Sequence, residues 1–192
     1  IYALGVSLGG NALLKWLGER GAEASQFISG AATISVPLDL AAAGKALDSG
    51  FNQVYTRHFL STLTYKALEK TERFPGLFDA KALASCSSIY QFDNLVTAPL
   101  HGFRDTDDYW QKSSSKPWLQ SIEVPTLVIN ARNDPFMPAS VLPEPEEVSN
   151  AVILVFPETG GHAGFIQGIF PGQIDWLPRR IVSFFYHECF TS

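Results

Sequence analysis

Cysteine, methionine and clustered basic residues are what this chain of 192 residues has least of. Its two cysteines, Cys86 and Cys189, lie far apart and form no C-x-x-C pair. Free thiols in a reducing compartment, the cytoplasm, are therefore expected rather than a disulfide framework. Long apolar runs are missing too. Residues 152–156 are typical of the longest, well short of the ~18 that a membrane span needs. No basic run occurs and the net charge is −5, which argues against a nucleic-acid partner. There is no internal repeat and no low-complexity tract. What remains is 46% apolar and 17% charged, the composition of one globular domain with a real core. The sole methionine is Met137, and the chain opens directly in the apolar Ile1-Tyr2-Ala3-Leu4. We therefore expect an N-terminally incomplete domain, which leaves open a membrane anchor ahead of residue 1.

The organising stretch is Leu4-Gly5-Val6-Ser7-Leu8-Gly9-Gly10, a G-x-S-x-G between an apolar run and the helix-like Asn11-Ala12-Leu13-Leu14-Lys15-Trp16-Leu17. Strand, sharp turn and helix are the context in which this motif forms a nucleophile elbow. A serine hydroxyl is a weak nucleophile, so it must stand exposed beside a base with amide N–H groups behind it. Holding it on so tight a turn brings backbone close, and Gly5 and Gly9 are expected to provide the missing β-carbons. The Leu8 N–H, at the helix N-terminus, would face a developing oxyanion. A Gly-rich strand–helix turn can equally hold nothing, or a phosphate; the downstream partners weigh toward the nucleophile.

After the elbow, a helix over residues 8–20, capped by Gly21, and a buried strand over residues 27–36 make a βαβ rhythm. The pattern predicts helices over residues 40–47 and 51–73, the latter with Phe51, Val54, Tyr55, Phe59, Leu63 and Leu68 at helical spacing as an inward stripe. Shorter helices are expected over residues 79–85, 105–112 and 116–121. Together these form a helical insertion at about residues 39–121, in the position of a cap. The βα rhythm returns with strands over residues 124–131 and 151–156. The closing helix has Pro178 in its first turn and Ile181, Val182, Phe184, Phe185 and Cys189 facing inward.

A serine at one strand end needs a base and an orienting acid from later strand ends. In the order Ser…Asp…His the candidates are Ser7, Asp134 and His162. Asp134 follows the strand over residues 124–131, and Pro135 keeps it off a helix. His162 follows the last strand, after Gly160-Gly161. Carboxyl ends of parallel strands are where such sheets place their sites. His58 and His187 fall in predicted helices, and His101 in a loop of the insertion. The cluster Asp105, Asp107 and Asp108 has too few ligands for a metal and reads as a helix N-terminus.

These residues resemble a particular group. Gly5-Val6-Ser7-Leu8-Gly9-Gly10-Asn11, Gly50-Phe51, Val54-Tyr55, Phe92-Asp93-Asn94, Thr97-Ala98, His101-Gly102-Phe103 with Asp105, Asn133-Asp134-Pro135-Phe136 and Gly160-Gly161-His162-Ala163-Gly164-Phe165 are similar to the YheT-like (AB hydrolase 4) family of α/β-hydrolases. That family takes in bacterial hydrolases and eukaryotic esterase, phospholipase and medium-chain acyltransferase relatives, and the resemblance covers essentially the whole chain. It implies an α/β-hydrolase fold, a mostly parallel sheet with a helical cap insertion, and the triad Ser7, Asp134 and His162. Where the group often has two acids, this chain has Asp93-Asn94 and Asn133-Asp134. It also implies that the first strands and the loop giving a second oxyanion donor, roughly 100–130 residues at about 30 per βα pair, precede residue 1. On that expectation residues 1–192 alone are an inactive fragment with an open strand edge.

The expected function is a serine hydrolase of the carboxylesterase or lipase type, cleaving esters of apolar acyl groups through an acyl-enzyme. Leu8 forms half the oxyanion hole, and neither cofactor nor metal takes part. Phe136, Met137 and Phe165 suit an acyl pocket or the core equally. Passing the acyl group to an alcohol would make an acyltransferase instead. A non-catalytic scaffold has no need of all three triad residues. The expected partner is a small ester, acyl or lipid in character; the sequence does not speak to oligomeric state.

Overall fold

Three short apolar runs and one elbow strand give the sheet its four members. The computed structural model describes residues 1–168 and 172–189. The chain divides into two compact units, a sheet unit of Ile1–Asp39 with Ser114–Ser192 and a helical unit of Leu40–Ser113.

In the sheet unit, β1 (Tyr2–Val6), β2 (Gly30–Ile34), β3 (Thr126–Ile129) and β4 (Val152–Val155) pair in parallel in the order β1-β2-β3-β4. The register sets Gly5 beside Thr33, Ile34 beside Ile129 and Ile129 beside Val155. Helix α1 (Leu8–Arg20) follows β1 directly. β2 and β3 are buried throughout, because alternate side chains feed two separate cores. Ala31, Val128 and Val152 join Leu14 and Leu17 of α1. Ala32, Ile34, Leu127 and Ile129 join Phe165, Ile181 and Phe184. Helix α1 is apolar on most of its circumference, yet only one flank is buried, through Gly10, Asn11, Leu14, Leu17 and Gly18. β1 stands at the edge of the described sheet, with Leu4 and Val6 about half exposed.

The helical unit contains α2 (Leu40–Leu47), α3 (Gln53–Arg73), α4 (Ala80–Ala84), α5 (Ile89–Phe92), a π-turn at Asp93–Thr97, α6 (Ala98–Leu100) and α7 (Thr106–Ser113). Its core joins Leu60 and Ala67 to Phe78, Leu83, Phe92 and Val96. Of the stripe expected to face that core, Leu68 packs against it and the rest does not. Phe51, Val54, Tyr55, Phe59 and Leu63 are exposed, while Thr56, Leu60 and Ala67 point inward. Bulk misled the reading: the small side chains at 56 and 67 let neighbours approach, and Thr56 spends its hydroxyl on the Leu47 carbonyl at 2.6 Å. The helical run over residues 89–100 has no clean 3.6 period and was not legible beforehand. The 3₁₀ turn Lys116–Ser121 belongs to the sheet unit and packs on α1, where a β-carbon on Gly18 would strike Trp118.

The closing helix is α8 (Trp176–Cys189). Ile181 and Phe184 are buried and Phe185 half-buried, but Val182 is exposed; at one residue from Ile181 it falls on the next face, 100° around. The side chain of Cys189 lies outside the described residues. Among the described residues no helix is long and apolar enough to cross a membrane.

Candidate active site

The elbow is built as its spacing demands, with one correction. Ser7 takes φ 51°, ψ −126°, a backbone conformation that a side chain ordinarily avoids. Its N–H continues the ladder to the Ile34 carbonyl at 2.8 Å, and its carbonyl accepts the N–H of Gly10 at 2.9 Å. The hydroxyl makes no capping bond to α1, although serine is a favoured N-cap. Leu8 is the first residue of the helix. Gly5 is required as expected, since a β-carbon there would lie 2.6 Å from Gly10 Cα. Gly9 is not: its β-carbon would meet nothing within 4 Å. The second tight position is Gly10, where a β-carbon would sit 2.6 Å from Val36 Cγ2. The strand and the helix it feeds cross at residues five apart, so the close pair is Gly5 with Gly10.

Asp134 and His162 meet. Asp134 leaves the end of β3 in a turn, and its side chain is fully buried. Oδ1 accepts the N–H of Phe136 at 2.9 Å, and Oδ2 lies 2.9 Å from His162 Nδ1. A neutral imidazole donating from Nδ1 to this carboxylate would keep the lone pair on Nε2. The Phe136 ring stands edge-on to the imidazole, centroids 4.8 Å apart. Phe136 thus braces the base. Phe165 is core, stacked on Trp176 at 5.6 Å, and Met137 is buried.

Ser7, Asp134 and His162 thus leave the carboxyl ends of β1, β3 and β4 of one sheet. Two further residues stand out beyond the triad. Asn133 accepts the N–H groups of Gly160 and Gly161 on its side-chain oxygen; its only signal was its place beside Asp134. Ser35, at the end of β2, repeats the unusual φ of 51° and is fully buried, with no hydrogen-bond partner on its hydroxyl. Nothing in the sequence marked it.

The other candidates lie elsewhere. His58 is exposed on α3, His101 is exposed at the end of α6, and His187 is exposed on α8. Asp105 Oδ1 accepts the Asp108 N–H at 2.8 Å at the start of α7, the helix N-terminus expected of this cluster. Its hydrogen bond from Arg104 holds the Asp105 carboxyl below its ordinary range, and Lys112 does the same for Asp108. Among the described residues no group of three or more His, Cys, Asp or Glu is arranged to hold a metal.

A family model described as alpha/beta hydrolase fold matches residues 1–169. "Putative esterase YheT" of Escherichia coli (strain K12) is 38% identical over 93% of this chain and 53% of its own length. "Phospholipase ABHD3" of Mus musculus is 33% identical over 95% of this chain and 44% of its own. "Monoacylglycerol lipase ABHD2" of Homo sapiens is 28% identical over 96% and 47%. The chain spans about half the length of the curated relatives it matches. It belongs to the alpha/beta hydrolase fold family, and among its relatives it is similar to the esterase YheT.

Proposed function

We propose that Ser7, His162 and Asp134 act as the nucleophile, base and orienting acid of a serine hydrolase that cleaves carboxylic esters of apolar acyl groups. The observation that carries this reading is the hydrogen bond at 2.9 Å between the buried Asp134 and the half-buried His162, on the same sheet as a serine held at a strained elbow with its hydroxyl uncommitted to capping. In the proposed cycle His162 Nε2 takes the Ser7 proton as the hydroxyl attacks the ester carbonyl. The Leu8 N–H stabilises the oxyanion, and the returned proton leaves with the alcohol. Water then repeats the sequence on the acyl-enzyme. Asp134 keeps the imidazole in the productive tautomer throughout. The names borne by the relatives, esterase, phospholipase and monoacylglycerol lipase, support an ester of an acyl or lipid kind. The helical unit is proposed to select among acyl groups.

A fluorophosphonate probe tests the reading. Labelling of the wild type, lost in Ser7→Ala, is the expected outcome; a folded protein that is never labelled would favour a non-catalytic scaffold. Product analysis with added alcohol separates hydrolysis from acyl transfer.

A further inference from the structure

Asn133 is exposed, yet its side chain is tied down. Its Oδ1 accepts two successive backbone N–H groups, from Gly160 and Gly161, each at 2.9 Å. Those are the two residues immediately before His162. Two consecutive amides converging on one oxygen form a small cradle that fixes the local backbone. The same turn is held from its other side. A β-carbon on Gly160 would come within 2.8 Å of Phe165 and Ala131, its carbonyl accepts the Phe165 N–H at 2.8 Å, and Gly161 needs its positive φ of 60°. The residue adjoining the acid therefore grips the turn that carries the base. Without it, the half-buried turn would keep its anchor on Phe165 but lose both side-chain bonds just ahead of His162.

We propose that Asn133 is a positioning residue, which sets the orientation of His162 toward Asp134 by clamping the Gly160-Gly161 turn. This rests on the reading of Asp134 and His162 as the working pair of a Ser7 hydrolase. A neutral carboxamide suits the task. A carboxylate at 133 would accept the same two N–H groups but would add a second negative charge beside the pair and favour the imidazolium form. That form cannot take the Ser7 proton.

The test uses the full natural chain, with rates on a short-chain nitrophenyl ester measured across pH and the His162 Nδ1 proton followed by NMR. Asn133→Ala is expected to lower kcat by roughly 10- to 100-fold with KM held within about twofold, since a misaligned base costs rate rather than ground-state binding. It should also broaden or remove the downfield Nδ1 proton signal. Asn133→Asp, which keeps the acceptor, should recover most of that rate at high pH and keep the signal, while the acid limb of its rate profile moves to higher pH. A residue that merely stabilised the loop would, in Asn133→Ala, lower the melting temperature and leave kcat and the Nδ1 signal where they were. Wild-type kcat and Nδ1 signal in Asn133→Ala, or an Asn133→Asp as impaired as Asn133→Ala at every pH, would overturn the proposal. If Asn133→Ala fails to fold, Asn133→Ser, whose shorter side chain cannot reach both N–H groups, takes its place with the same losses of kcat and Nδ1 signal expected and the same wild-type outcome overturning the proposal. Ser7→Ala and His162→Ala run alongside. Activity surviving in either defeats the hydrolase reading, and the Nδ1 signal then settles the role of Asn133 by itself. If both are dead while Asn133→Ala is fully active, only the positioning role falls.

Discussion

Ser7 sits where a side chain is tolerated only at a cost, so chemistry and stability should part company there. A non-glycine residue in such a conformation carries on the order of 1–3 kcal/mol of strain, and glycine would shed it while losing up to about 1 kcal/mol to chain entropy. Ser7→Gly is expected to be about 1 kcal/mol more stable than the wild type, and both Ser7→Gly and Ser7→Ala to lose 10⁴–10⁶ or so in rate. Urea unfolding and ester hydrolysis on one preparation check both halves. Asp134→Asn should cost roughly 10⁴ in turnover by disturbing the tautomer of His162, whereas Asp105→Asn and Asp108→Asn, which cap or pair within the helical unit, should leave turnover within about twofold. A larger loss at Asp105 would contradict the assignment. Asp93 offers a pH-dependent case. Burial pushes its carboxyl up, more than the hydrogen bonds from Thr97 (2.6 Å) and Trp110 (2.8 Å) bring it down. A raised folded value means that the protonated form is favoured in the native state. Its stabilising contribution is complete below the unfolded value near 3.9 and is lost as pH rises through the folded value. The stability of Asp93→Asn relative to wild type should therefore increase with pH above about 4. A difference that stays constant from there to neutrality would refute it.

At the scale of elements, the elbow separates what a motif encodes from what a fold requires. G-x-S-x-G places its glycines symmetrically about the serine, but the contacts are not symmetric. Gly5→Ala would drive a methyl to within 2.6–2.9 Å of the Gly9-Gly10 backbone, which cannot step aside, and it should cost several kcal/mol, about 3 by the scale of overpacked sites. Gly9→Ala meets open space on an exposed helical position and should stabilise by up to about 1 kcal/mol. Thermal unfolding of the two variants distinguishes them; equal destabilisation would mean that the motif, and not its packing, had been the guide. Strong periods were legible in the same sense. β2 and β3 were placed, each shorter than expected, because strands buried on both faces are poor in charge and rich in apolar residues, and α2 because its eight residues lie between clear stops. Asp134 and His162 could be picked out because each follows such a run at a turn rich in glycine or proline. Residues 89–100 could not, because a π-turn interrupts the 3.6 period. The inward face of α3 was misjudged because Thr56 and Ala67 are small, and pattern reading gives weight to size. The clamp made by Asn133 was hidden for another reason: it depends on the backbone of Gly160-Gly161, 27 and 28 residues away, and nothing in the sequence marks the unusual backbone of Ser35.

At the scale of the molecule, the sheet unit is closed at the point where the helical unit leaves and returns. The Lys116 N–H donates to the Leu38 carbonyl at 3.0 Å, and Asn11 Oδ1 accepts the Ser115 N–H at 2.9 Å. Asn130 adds a two-way bond to Val36, donating to its carbonyl at 2.9 Å and accepting its N–H at 3.1 Å. Each of these joins residues of the sheet unit to one another, so β2 and β3 do not depend on the helices between them for their register. Replacing Leu40–Ser113 by a short flexible linker should therefore leave the parallel pairing and the Asp134–His162 bond in place. Shortening the loop by about four doublings should recover roughly 2 kcal/mol of closure entropy, at about 0.6 kcal/mol per doubling. The shortened protein is expected to unfold cooperatively and to keep the His162 Nδ1 proton signal, while its preference among acyl chain lengths flattens if the helical unit selects among them. A collapsed, dye-binding state without fixed near-UV signals would show instead that the sheet unit cannot stand without its insertion. An unchanged chain-length preference in a well-folded product would remove the helical unit from substrate selection and leave that task to residues of the sheet unit.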